Sequence, residues 1–172
     1  MPPLPDYDLY MTTLAAPLTI VRRMQFAEIT ELAEVIPEIT DAQLTNRWRE
    51  QSMGYRELLV AERDGELVGT VSISESFRPP QSMHLFALEV SAARRNEGIG
   101  ADIVGWVVDE ARNRGLSRVY LEVRTDNPAR RLYHRLGFRR VGPAFTNSWW
   151  YFNRDGSQRR VDELSYRMVK RI

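Results

Sequence analysis

Apolar residues recur with two periods along this chain, and each switch of period marks an element. Leu18 to Arg22 alternates weakly, as a first strand does. Ile29, Leu32, Ala33 and Ile36 recur at helical spacing over Ala27 to Ile36, and the helix stops before Pro37. Thr40 and Gln43 match a capping box that opens a second helix to about Met53, closed by Gly54. Leu58 to Ala61, the turn Asp64-Gly65 and Leu67 to Ser74 read as a hairpin. Pro79-Pro80 breaks the chain, and Met83 to Val90 is the next strand. Ile99, Ile103, Val104, Val107, Val108 and Ala111 mark one face of a helix ended at Gly115. Arg118 to Val123 is a strand rich in β-branched and aromatic residues. Asn127 as N-cap and Pro128 at the first helical position open a short helix that Gly137 ends. Phe138 to Val141 begins another strand. Trp149 to Phe152, the turn Asp155-Gly156 and Val161 to Val169 read as a closing hairpin.

The order β-α-α-β-β-β-α-β-α-β-β predicts an α/β fold with a mixed sheet and helices on both faces. The β-α-β unit from Met83 to Val123 is expected to contain parallel strands. Ligands in such sheets bind beyond the carboxyl ends of strands that part. Here that is the gap beyond Val90 and Val123.

Composition narrows the chemistry. With 172 residues, residues 18–172 read as one domain, and the proline-bearing residues 1–17 as a flexible arm without the basic start of a signal peptide. A formal charge of +1 sets up no global field for nucleic acid or membrane, and acids balance the bases without a sustained basic patch. No apolar run is long enough to span a bilayer. The absence of cysteine excludes a thiol nucleophile and cysteine–zinc sites and fits a cytoplasmic, reducing setting. His84 and His134 alone do not make a metal cluster.

Two segments carry chemistry. Arg95-Asn96-Glu97-Gly98-Ile99-Gly100 lies between a strand and a helix start, with Arg94 beside it. Amides at a helix N-terminus are unpaired, the helix dipole adds positive potential there, and Gly98 and Gly100 let an anion approach the backbone. The spacing is too short for a nucleoside-triphosphate loop and lacks the third glycine of a dinucleotide fingerprint. The second segment runs from Asn127 to Phe138. Leu132, Tyr133 and Leu136 suit a packed helix face, and the Tyr133 hydroxyl suits proton donation to a thiolate if a thioester lies beside it. Reference pKa values of about 10 for tyrosine and about 8.5 for a thiol put that transfer within reach.

Together these segments resemble the GCN5-related N-acetyltransferase (GNAT) family. Arg95-x-x-Gly98-x-Gly100 is similar to its acetyl-coenzyme A pyrophosphate loop, Asn127 to Phe138 to its second cofactor motif, and Leu85 to Val90 to its splayed central strand. In element order the resemblance covers Leu18 to Val169. It implies a mixed sheet with splayed parallel central strands and acetyl-CoA as co-substrate. It further implies contacts to that cofactor from Leu88, Val90, Arg95, Asn96, Gly98, Ile99, Gly100, Ala101, Asn127, Arg130 and Tyr133. Arg130, Arg131 and Arg135 would reach toward the 3′-phosphate. Glu97 departs from the family's frequent lysine and puts a negative charge near phosphate.

An attacking amine must lose a proton, since alkylammonium has a pKa of about 10.4. His84 lies six residues before Val90, and regular alternation puts both on one strand face, with Glu89 on the other unless a bulge intervenes. His84 is therefore the candidate base, with Glu57, Glu62 and Glu75 on flanking strands. Trp149, Trp150, Tyr151 and Phe152, with Trp48 and Tyr55, form either an acceptor wall or a core or dimer contact. The expected activity is direct acetyl transfer in a ternary complex to a primary amine on a small molecule or peptide, with Tyr133 and His84 catalytic. The alternative is a non-catalytic acyl-CoA sensor on the same fold. A homodimer is common for the resemblance.

Overall fold

A computed structural model describes residues 18–172, so the expected arm over residues 1–17 lies outside the described residues. The elements are β1 (Thr19–Arg23), α1 (Ile29–Val35), α2 (Asp41–Ser52), β2 (Glu57–Arg63), β3 (Glu66–Ser76) and β4 (Ser82–Val90). They continue as α3 (Ile99–Asn113), β5 (Arg118–Arg124), α4 (Arg130–Arg135), β6 (Arg139–Phe152) and β7 (Gln158–Arg171). They build one seven-stranded sheet in the order β1-β2-β3-β4-β5-β7-β6. Among the described residues only β4 and β5 run parallel, as their crossover through α3 requires.

Helices cover both faces. Alternation along β2 sends Leu59 and Ala61 toward α3 and Leu58 and Val60 toward α1 and α2. On one face Ile103, Val104 and Val107 pack on Val71, Ile73, Met83, Leu85 and Leu121; on the other, Leu32, Ile36 and Leu44 pack on β2. Among the described residues no helix is long and apolar enough to cross a membrane, and no group of three His, Cys, Asp or Glu could hold a metal ion.

Two departures from the sequence reading matter. The segment read as the start of a strand at Phe138 to Val141 and the strand at Trp149 to Phe152 are one strand, β6. Its pairing with β7 shifts between Val141 and Phe145, where Gly142 (φ 74°) and Pro143 interrupt the ladder. The capping box at α2 is half made. Thr40 Oγ1 accepts from the Gln43 N–H at 3.0 Å, but the Gln43 side chain turns away and accepts from the Phe152 N–H at 2.8 Å. Thr40 Oγ1 also donates to Phe152 O at 2.6 Å, and Tyr151 Oη donates to Glu38 O at 2.9 Å. The end of β6 is thus tied to the start of α2, which walls a cleft between them.

Gly69 permits the close approach that shapes the far side of that cleft. A Cβ there would sit 2.9 Å from Glu89 O and 3.2 Å from Ile103 Cδ1. Gly69→Ala is expected to destabilise the fold by about 1–3 kcal/mol through backbone displacement, read as a lower urea midpoint. An unchanged midpoint would show that β3 and β4 are not in contact at this point.

Candidate active site

The site begins with a mismatch in strand register. Ser72 pairs with Phe86 but Thr70 pairs with Glu89, so β4 spends one residue more than β3. Ala87 absorbs it at φ 50°, a left-handed conformation that costs an alanine about 1–2 kcal/mol. This overturns the regular alternation assumed from sequence. His84, Phe86 and Glu89 share the α2 face, whereas Val90 packs on the α3-side core. His84 and Val90 are therefore on opposite faces, and Glu89 joins His84.

β5 leaves β4 at the same place. The parallel ladder pairs only Ser82–His84 with Arg118–Tyr120, and the two strands diverge beyond it. Backbone groups on the freed edge of β4 have no strand partner on that side. The opening is a cleft of about 900 Å³ lined from both faces of the sheet. Leu85, Leu121, Val123 and Tyr133 belong to the α3-side core, while Gln43 and Arg47 come from α2 on the other face.

The glycine turn follows the end of β4 and leads into α3. Asn96 (φ 66°) and Gly98 (φ 81°) reverse the chain, and the first helical bond of α3 is Asp102 N–H to Gly98 O at 3.0 Å. Among the described residues no hydrogen bond uses the N–H groups of residues 96–101. The amides of Gly98, Ile99, Gly100 and Ala101 are free to receive an anion. The turn is held from behind. Arg63, 5% exposed, donates to Glu97 O at 2.9 Å, Asp102 Oδ2 at 2.7 Å and Thr19 Oγ1 at 2.7 Å. Arg94 does not face the anion position as its place in sequence suggested. It pairs with Glu97 at 2.6 Å, Asp64 at 3.2 Å and Glu66 at 3.1 Å, fastening the turn to the β2–β3 hairpin. The Glu97 carboxylate is thereby neutralised and drawn toward Arg94. Arg95 is exposed and reaches Glu38 at 3.4 Å.

α4 stands beside α3, since a methyl added to Gly100 would touch Leu132 Cδ2 at 3.4 Å. Asn127 Oδ1 accepts from the Ala129 N–H at 2.9 Å, which orders the start of α4 and leaves the side-chain amide at the cleft. Tyr133 is 8% exposed, packs edge-on against Phe138 and reaches the cleft. Burial, with the Glu89 charge adding to it, pushes its hydroxyl pKa up to about 12. Arg130, expected to reach toward the cofactor's 3′-phosphate, turns to the outer side of α4. Its guanidinium bonds Thr125 O and lies 4.9 Å over the Tyr166 ring, on the side of α4 away from Gly100.

The opposite face is polar and largely paired. Arg47 holds Glu89 through two bonds of 3.2 and 3.0 Å, and Arg56 pairs with Glu50. His84 is stacked between Phe86 and Tyr120, each ring 4.5 Å away. Its Nε2 is 3.3 Å from Glu122 Oε2, within ion-pair distance but outside hydrogen-bond geometry. Burial pushes the Glu122 carboxyl up, but His84 and Arg167, the latter at 2.8 Å, outweigh it, so the net direction is down and Glu122 stays ionised. Trp149, Trp150 and Phe152 line the cleft; Trp48 instead packs on Phe26, and Tyr55 is exposed. Glu57 and Glu75 bind Arg114 and Glu62 binds Arg22, away from the cleft. Arg47 and Glu122 were missed from sequence. The alternation Arg118 to Val123 puts Glu122 on the face of Tyr120, but only the β4–β5 register brings it to His84.

A seven-stranded sheet opened between its two parallel strands, with a glycine turn between the first of them and its crossover helix, defines a class of acyl-transfer fold. The chain matches the Acetyltransferase (GNAT) family over residues 23–138 and belongs to that family. It is 38% identical over 96 residues to N-alpha-acetyltransferase RimI of Mycobacterium tuberculosis, covering 55% of this chain and 59% of that protein. It is 35% identical over 95 residues to N-acetyltransferase 8B of Mus musculus, covering 53% and 41%. The matched region is thus about half the length of these relatives. The PaiA N-acetyltransferase from Thermoplasma acidophilum, solved in complex with coenzyme A, has the same fold. Its TM-score is 0.65 at 16% identity, over 90% of this chain and 99% of that one.

Removing the brace behind the turn tests its link to ligand binding. Arg63→Met leaves Asp102 unneutralised beside the free amides, and acetyl-CoA affinity is expected to fall roughly tenfold. The measurement is calorimetric titration of the folded variant. Unchanged affinity would place the cofactor's phosphates elsewhere.

Proposed function

We propose that the protein is an acetyl-CoA-dependent N-acetyltransferase that acetylates a primary amine by direct attack in a ternary complex. The observation that carries this reading is the opening between β4 and β5, lined from both faces of the sheet. A thioester can enter from the side of the glycine turn and Tyr133, while an amine approaches from the side of His84 and α2. The relatives named as N-acetyltransferases support the reaction class.

The residues divide the work by position. Amides of Gly98 to Ala101 would hold the pyrophosphate, with Arg95 and Asn96 at the turn's edge. The pantetheine arm would run past Asn127 along the freed edge of β4 near Leu88 and Val90, whose amides can hold the acetyl oxygen. The amine nitrogen attacks the carbonyl carbon, and the tetrahedral adduct collapses with cleavage of the carbon–sulfur bond. The amine's proton passes to His84, and ionised Glu122 behind it stabilises the imidazolium. The Tyr133 hydroxyl donates a hydrogen bond to the departing sulfur. At about 12 its hydroxyl is a far weaker acid than a thiol at about 8.5. Complete transfer to a free thiolate would be uphill by about 5 kcal/mol. Tyr133 therefore acts while the bond is breaking, as a hydrogen-bond donor to developing charge.

Tyr133→Phe is expected to lower kcat about 100-fold with KM for acetyl-CoA within about twofold. Because burial keeps the hydroxyl protonated, kcat should show no falling limb below about pH 10.5. Steady-state kinetics by free-thiol release measure both. Equal rates for variant and parent would remove Tyr133 from this role, and cofactor binding without turnover in the parent would favour a sensor.

A further inference from the structure

A second cavity, of about 570 Å³, lies on the far side of α4. Its wall carries Arg130, Arg131 and His134 from α4, Arg140 from β6 and Tyr166 from β7. The Arg140 guanidinium sits 3.8 Å over the Tyr166 ring and that of Arg130 at 4.9 Å. Beyond that ring, Arg130 and Arg140 find only backbone carbonyls, those of Thr125 and Gly142. Among the described residues none of the three arginines has a carboxylate partner. The one acid in the wall, Asp126, is already taken by Arg124 at 2.8 and 3.0 Å.

This departs from the even charge balance read from composition. Between Asp126 and Asp155 the chain carries six arginines and no carboxylate, while the remaining residues hold 18 basic against 23 acidic side chains. Like charges gathered around one cavity oppose folding, and among the described residues no carboxylate pairs with them there. Guanidinium groups held over an aromatic ring can still offer N–H donors to an oxyanion. The cavity volume suits a molecule of nucleotide size.

The cavity is separate from the position of the coenzyme's pyrophosphate. The free amides of Gly98 to Ala101 adjoin Leu132. Arg130 and His134 stand two residues either side of Leu132 and so on the opposite face of α4. Asn127 and Pro128 line both cavities, so a ligand in one would touch the loop that shapes the other.

We propose that this cavity is a second anion site, taking a small ligand that carries two or more phosphates and is not the acetyl donor. The site is independent of acetyl transfer, and its test reads binding alone. The probe is inorganic tripolyphosphate, titrated calorimetrically into the whole protein saturated with coenzyme A. One equivalent is expected to bind, more weakly as salt rises. Arg140→Glu should weaken that binding roughly tenfold or more and leave coenzyme A affinity unchanged. Three results would overturn the proposal. These are no binding with coenzyme A present, equal tripolyphosphate affinity in Arg140→Glu, or a loss in that variant of affinity for coenzyme A but not for dephospho-coenzyme A. The last would assign the cavity to the coenzyme's own 3′-phosphate. A parallel acetyl-CoA titration of the parent protein reports on the glycine turn by itself.

Discussion

Three residues of β4 lie where β3 offers two, and the site is organised around that mismatch. Ala87 accepts a left-handed backbone to allow it. Past the bulge, Glu89 points to α2 and is clamped by Arg47, while Val90 returns to the α3-side core. Without the extra residue, strand alternation would bury Glu89 against α3 and expose Val90 to the cleft. The strain at Ala87 is small beside the cost of an unpaired carboxylate in an apolar core. The parting of β4 from β5 just before this point leaves an edge with unsatisfied backbone groups, as ligand-binding strands have.

The anion turn follows a related logic, in which charge on the protein is settled so that backbone amides remain free. Two acids, Glu97 and Asp102, stand beside a position that suits phosphate. Arg94 draws off the first, and buried Arg63 neutralises the second while gripping the Glu97 carbonyl. Three arginine–carboxylate pairs thus join this segment to β2 and the β2–β3 hairpin, and a fourth, Arg94–Glu97, lies within it. Most are partly exposed and individually weak. Their value lies in fixing the orientation of a turn whose amides carry the interaction, which is preorganisation rather than added charge.

Much of the fold was legible in the sequence because strong periodicity and glycine or proline punctuation coincide at most elements. The apolar stripe of α3, the Asp64-Gly65 hairpin and the Thr40 cap all follow local rules. Long-range register was not legible. No local signal marks Ala87 as a bulge, since alanine has no preference for positive φ, and the parity of His84, Glu89 and Val90 was therefore misjudged. The Arg94 and Arg130 side chains illustrate a second limit. The position of Arg94 beside a motif suggested anion contact, but carboxylates on a distant hairpin claim it, while Arg130 turns to the outer side of α4 over an aromatic ring on β7. Charge distribution was legible and passed unnoticed: the run from Asn127 to Arg154 without an acid is plain once the folded chain gathers Arg130, Arg131 and Arg140 in one place.

The central claim is that the freed edge of β4 and the amides of the glycine turn receive one ligand together. Backbone amide resonances of isotopically labelled protein, followed during titration with acetyl-CoA, test it most directly. The account predicts that Leu88 to Val90 and Gly98 to Ala101 shift in parallel, with one shared affinity. Shifts confined to other segments, or two sets that titrate with different affinities, would contradict it.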